Sequence, residues 1–198
     1  MKTKVLLFLL AFFIIMGCRK DDENPQPNVY SEENPLDLYL KNTGFNQRTQ
    51  IVYYTDNQSS NFWESGYLFK SKVKGKINAI TFKIPDNESD VRVTIWDTST
   101  QLPLKTITIP TVSANVEVKH AIEPLIIDPS KEYLISFNGN DCYIRKKTDE
   151  TAITYPIDAG NISILAFHRN NGTVQTYPIT SRNNFYAGDL SIVFQQTD

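Results

Sequence analysis

The strongest constraint on this chain is a two-residue apolar period that recurs along most of its length and is broken by turns, with almost no helical periodicity. In residues 76–84, Ile80, Phe82 and Ile84 fall on one face while Thr81 and Lys83 fall on the other. Successive side chains of a strand point to opposite sides, so this pattern predicts a strand with one face buried. The same alternation runs through residues 91–95, 105–109, 116–118, 133–137 and 190–194. Turn-forming clusters separate these runs, among them Pro85-Asp86-Asn87, Asp97-Thr98-Ser99, Asp128-Pro129-Ser130, Asn138-Gly139-Asn140 and Asn170-Asn171-Gly172. Many short strands without intervening helices predict an all-β fold, a single antiparallel β-sandwich over residues 36–198.

The first residues do not fit this pattern. Met1-Lys2-Thr3-Lys4 is followed by an apolar run from Val5 to Met16, which stops at Gly17-Cys18-Arg19-Lys20. Crossing a bilayer core takes roughly 20 apolar residues, so this shorter run reads as the apolar part of a cleavable export signal. Ile15-Met16-Gly17-Cys18 resembles the lipobox of bacterial lipoproteins, with Met16 bulkier than the usual middle residue. The resemblance implies cleavage before Cys18 and a lipid on its thiol. Multiple acyl chains, at about 0.8 kcal/mol per buried CH₂, hold a protein durably on a membrane. Lys20-Asp21-Asp22 resembles the surface-export signal of Bacteroidota-type lipoproteins, which implies an outer-membrane protein facing the cell exterior. The plainer alternatives are an ordinary secretory signal and a charged, solvated linker.

The organisation expected is therefore a signal peptide at 1–17, a lipidated cysteine with a flexible acidic linker at 18–35, and a sandwich at 36–198. Between Asp21 and about Asn34 only Val29 and Tyr30 are apolar, too little to offset the entropy of ordering. The formal net charge is -2, and no basic patch of the kind that phosphate binding requires is present, which argues against nucleic acid. Lys70, Lys72, Lys74 and Lys76 read as one solvated face of a hairpin at a sheet edge. Of the two cysteines, Cys18 is taken by the lipid, leaving Cys142 as an unpaired thiol expected to be buried and inert.

Ser65-Gly66-Tyr67-Leu68-Phe69, Gly75 to Phe82, Val91 to Asp97, Leu102 to Leu104 and Tyr133 to Phe137 follow one another in an order that resembles the extracellular bacterial domain of unknown function 4082. The resemblance covers roughly residues 62–145 and departs from the family at Asn78-Ala79, where a glycine is common. It implies a jelly-roll-like sandwich with a display or glycan-associated role. It carries no agreed catalytic residues.

Candidate chemistry is sparse. His120 and His168 are the only histidines, neither in a triad context, and no nucleophile-elbow, zinc-protease or phosphate-loop motif occurs. Glu64, Asp97, Glu117 and Asp141 are loose candidates for a glycosidase pair, which would need a separation of about 5 to 9.5 Å. Residues 86–90 and 138–141 are rich in oxygen ligands that calcium accepts but read as turns. No cofactor or metal is expected.

Aromatics are the surplus, with 10 Tyr, 11 Phe and 2 Trp. Trp63, Tyr67, Trp96 and Tyr143 are the residues expected to form a ligand-binding platform, Trp96 because alternation sets it opposite Val91, Val93 and Ile95. The alternative is that the tryptophans pack under a loop or complete a sheet buried on both sides. The expected function is non-catalytic binding of an extracellular ligand, a glycan first and a protein partner second.

Overall fold

The computed structural model describes residues 28–43, 45–51, 62–182 and 186–198. Cys18, Lys20, Asp21 and Asp22 lie outside the described residues. The elements are β1 (Glu32–Glu33), α1 (Pro35–Thr43), β2 (Phe45–Ile51), β3 (Trp63–Ser71), β4 (Gly75–Lys83), β5 (Glu88–Asp97), β6 (Pro103–Val112) and β7 (Val118–Ile127). After these come β8 (Glu132–Gly139), β9 (Asp141–Lys147), β10 (Ile157–Ala159), β11 (Ile162–Asn171), β12 (Thr180–Arg182), β13 (Tyr186–Ala187) and β14 (Asp189–Gln196).

The strands form antiparallel sheets in the orders β1-β14-β4-β7 and β10-β11-β3-β8-β5-β6, with β12 on β11 and a third sheet β13-β9-β2. The chain crosses between the two larger sheets at the β3–β4, β4–β5, β6–β7 and β7–β8 connections, so their apolar faces meet in one core. Ile80, Phe82, Leu190, Ile192 and Phe194 from the first sheet pack with Phe69, Val93, Ile95, Ile135 and Phe137 from the second. Between the sheets the Phe82 and Phe137 rings have centroids 4.9 Å apart, and within the second sheet Phe69 stacks on its strand neighbour Tyr133 at 5.8 Å. The protein is an all-β sandwich, as the alternation predicts.

Ile77 and Ile80 both reach the core although three positions separate them. A bulge at Asn78 makes this possible, because Phe194 pairs with Ile77 while its neighbour Val193 pairs with Ala79. An extra residue in one strand shifts the alternation by one. The Asn78 carboxamide donates to Glu32 Oε1 at 3.1 Å and to Gln195 Oε1 at 3.0 Å, so the bulge ties β1 and β14 to β4.

Three expectations shift. Among the described residues, sheet pairing begins ahead of residue 36, since Glu32 and Glu33 pair with Gln195 and Phe194. A short helix follows, set by Asn34 as its cap: Asn34 Oδ1 accepts from Leu36 N at 3.1 Å and Asp37 N at 3.3 Å, and Pro35 opens the first turn without needing a partner for its nitrogen. Leu36 and Tyr39 then bury against the sandwich. Finally, the alternating lysines are on no sheet edge: β3 lies between β11 and β8, and β4 between β14 and β7. Lys72 and Lys74 occupy the turn between sheets, where Lys72 meets Asp158 at 3.0 Å.

The strand directions define two ends. The chain arrives beside Gln195, at the end that carries the β3–β4 and β5–β6 turns. The opposite end carries the starts of β3, β5 and β9 and the end of β8. At about 3.3 Å per residue, strands of this length set the ends roughly 25–30 Å apart.

Candidate ligand-binding site

The four rings expected to form a platform are not brought together. Tyr67 points into the sandwich core, with ring centroids 6.0 Å from both Phe69 and Tyr186. Tyr143 is buried on β9, its hydroxyl donating to Asn115 Oδ1 and facing the Ile84 carbonyl. Trp63 is half-buried at the start of β3, with the Arg169 guanidinium 4.6 Å from its ring centroid. Trp96 lines a surface recess.

Trp96 does sit opposite Val91, Val93 and Ile95, yet it is 2% exposed. The segment 172–179 lies over that face of the sheet. Asn138 Nδ2 donates to the Gly172 carbonyl at 2.9 Å, both terminal nitrogens of Arg92 donate to the Thr173 carbonyl at 3.1 Å, and Gln175 Nε2 donates to Thr94 Oγ1 and Thr106 Oγ1. His168 Nδ1 lies 2.9 Å from the Pro178 carbonyl, which can only accept, so the proton sits on Nδ1. Beneath this cover runs a buried polar chain: Trp96 Nε1 donates to Ser136 Oγ at 2.8 Å, Ser136 Oγ donates to Glu64 Oε1 at 2.6 Å, and Arg92 Nη2 pairs with Glu64 Oε2 at 2.8 Å. Trp96 therefore packs under a loop, the alternative the sequence left open.

Beside that loop is a groove of about 390 Å³. Tyr177 stands edge-on to Trp96 with centroids 5.8 Å apart, and Gln101, Asn170 and Gln175 supply carboxamides, with Leu102, Pro103 and Ile179 as apolar walls. No charged side chain is among its lining residues. Burial, with the Glu132 carboxylate beside it, raises the Tyr177 hydroxyl above its usual value, so it stays a neutral donor. Tyr177 and Gln175 were not legible as site residues, because the Tyr177-Pro178 step registers in the sequence only as a break in strand alternation.

A second recess, of about 120 Å³, opens at the opposite end, between the starts of β3 and β5 and the β8–β9 turn. Here the two oxygen-rich turns converge, tied by Asp86 N donating to Asp141 Oδ2 at 3.0 Å. Burial raises the Asp141 carboxyl above its usual value; the Asp86 N–H opposes this and the nearby Asp86 and Glu88 charges add to it. Among the described residues, no group of three or more His, Cys, Asp or Glu side chains is placed to hold a metal ion.

The remaining acidic candidates are dispersed. Asp97 lies at the β5–β6 turn, accepting from Ser99 N at 2.8 Å, while Glu64 and Asp141 lie toward the other end. Glu117, in the β6–β7 turn, has its carboxyl raised by burial and by the neighbouring Asp37 and Asp189 charges. Cys142 is free and partly buried, and burial pushes its thiol up to about 12.

No protein-family model matches this chain, and no curated protein matches it in sequence. Fold and site together define the class: an antiparallel all-β sandwich with an uncharged aromatic groove on one sheet face and an acidic recess at one end.

Proposed function

We propose that the protein is a lipid-anchored, outer-membrane sandwich, displayed at the cell surface, that binds an extracellular glycan through the groove at Trp96 and Tyr177 without catalysing a reaction. The observation that carries this reading is the lining of the groove. Sugar rings present apolar faces and many hydroxyls, and an aromatic edge among neutral carboxamides complements both. The Trp96 indole nitrogen is already held by Ser136, so Tyr177, Gln101 and Asn170 are the groups left to contact a ligand. The antiparallel sandwich and the lipobox-like residues Ile15 to Cys18 are what support this reading.

A glycan array probed with the full-length protein in detergent tests the groove. Neutral glycans should bind the wild type and be lost in Tyr177→Ala; binding that survives the substitution excludes the groove, and an array without hits excludes the glycan. For the anchor, fatty-acid labelling should be lost in Cys18→Ser, and protease shaving of whole cells should degrade the protein if Lys20-Asp21-Asp22 directs it outward.

A protein-contact role is the second reading. It rests on Leu102 in the β5–β6 turn, Leu104 of β6 and Ile126 of β7, large apolar residues 63%, 44% and 67% exposed at the adjoining edge strands. Cross-linking on intact cells that depends on Ile126 would favour it over the glycan.

A further inference from the structure

We propose that the groove beside segment 172–179 reads an acetamido group, the mark of an N-acetylated 2-amino sugar, and that Gln101 is the residue that selects it. The inference rests on the reading of the groove as a glycan site and names the class of sugar.

The backbone of Gln101 is the first observation. It lies in the left-handed region at φ 58°, which costs a residue with a Cβ conformational energy that glycine escapes. The β5–β6 turn imposes this: Gln101 N donates to the Asp97 carbonyl at 2.8 Å, Asp97 N donates to the Leu102 carbonyl at 3.0 Å, and Asp97 Oδ1 accepts from Ser99 N and Thr100 N. These bonds engage Gln101 through its backbone, so glycine would complete the same turn with less strain. The Gln101 side chain meanwhile lines the groove. Strain held at such a position points to a use for the side chain it presents.

What the groove offers is the second observation. Both N–H groups of the Gln175 carboxamide are spent, on Thr94 Oγ1 at 3.0 Å and Thr106 Oγ1 at 2.8 Å, which leaves its carbonyl oxygen as an acceptor. Gln101 adds a carboxamide able to donate, and Leu102, Pro103 and Ile179 are exposed apolar walls. An acetamido group matches all three, with an N–H for Gln175, a carbonyl for Gln101 and a methyl for the walls. A hydroxyl at the same carbon lacks the methyl, and a free ammonium lacks both methyl and acceptor. No charged side chain lines the groove to offset the desolvation of such an ammonium.

The test is calorimetric titration of the full-length protein, in a detergent without a sugar headgroup, with disaccharides that differ only at the 2-position: N,N′-diacetylchitobiose, cellobiose and chitobiose with free amines. Diacetylchitobiose should bind at least about tenfold tighter than the other two. Gln101→Gly should weaken diacetylchitobiose by about tenfold and cellobiose by much less, while its thermal midpoint equals or exceeds that of the wild type. Cellobiose that binds as well as diacetylchitobiose and is lost in Tyr177→Ala overturns the acetamido assignment and leaves the groove as a glycan site. Diacetylchitobiose binding that survives Gln101→Gly, or is lost together with a lowered midpoint, overturns the role of Gln101. Failure of all three disaccharides to bind overturns the inference as well, and hits among other neutral glycans that depend on Tyr177 would then keep the groove reading.

Discussion

Arg145 and Asp189 meet as a two-point ion pair between β9 and β14, Arg145 Nε donating to Asp189 Oδ1 at 2.7 Å and Nη2 to Oδ2. Both side chains are under 10% exposed, and the pair joins the three-stranded sheet to the sandwich. Removing one partner of a buried pair leaves the other charge stranded. Arg145→Ala should therefore lower the unfolding free energy by about 3–5 kcal/mol in urea denaturation. Arg145→Lys should recover little, because lysine lacks the planar fork.

Ser136 is the hinge of the polar chain under segment 172–179. It receives the Trp96 indole N–H and donates to Glu64. Ser136→Ala strands both groups, at about 1–3 kcal/mol for each unpaired buried group. A loss of stability well under 1 kcal/mol, or unaltered Trp96 fluorescence, would contradict the network.

Asp141 ties stability to pH. Burial, against the Asp86 N–H and with the Asp86 and Glu88 charges, holds its carboxyl above the usual value. A carboxyl raised on folding contributes its full stability below the unfolded value of about 3.9 and loses it as pH rises through the folded value. The stability of wild type relative to Asp141→Asn should therefore fall as pH rises from about 3 through the range just above the ordinary carboxylate value, then level off. A difference that rises across that window is the opposite sign and would refute the placement of Asp141.

Gly66 of β3 pairs with Ser136 of β8. A Cβ there would lie 1.8 Å from the Ile135 carbonyl oxygen, so the strands must part to admit one. Gly66→Ala should destabilise by about 3 kcal/mol or more, seen as a lowered thermal midpoint or loss of soluble protein. Near-native stability would mean that the two strands do not pair in this register.

The strand pattern was legible because each run shows one apolar face to a core, and Ile80, Phe82 and Ile84 needed only their alternation to be placed. Trp96 shows the limit of that argument. Alternation set it correctly on the face opposite Val93, but whether that face meets solvent depends on segment 172–179, some eighty residues away in the chain. Tyr67 was misread for the related reason that an aromatic on a strand looks the same whether its face is inside or out. Cys142 and Arg145 show the converse on β9: the alternation holds, and the face bearing Tyr143 and Arg145 is the better buried one.

The sequence by itself determined the strand content, because this follows from local period and from the turn residues between the runs. Tertiary structure alone decided that Asp86 meets Asp141, that Tyr177 meets Trp96, and that a carboxylate such as Glu64 is buried with its partners. Each of these contacts joins residues brought together by strand pairing or sheet packing, and their energies depend on the burial and the second partner that the fold supplies.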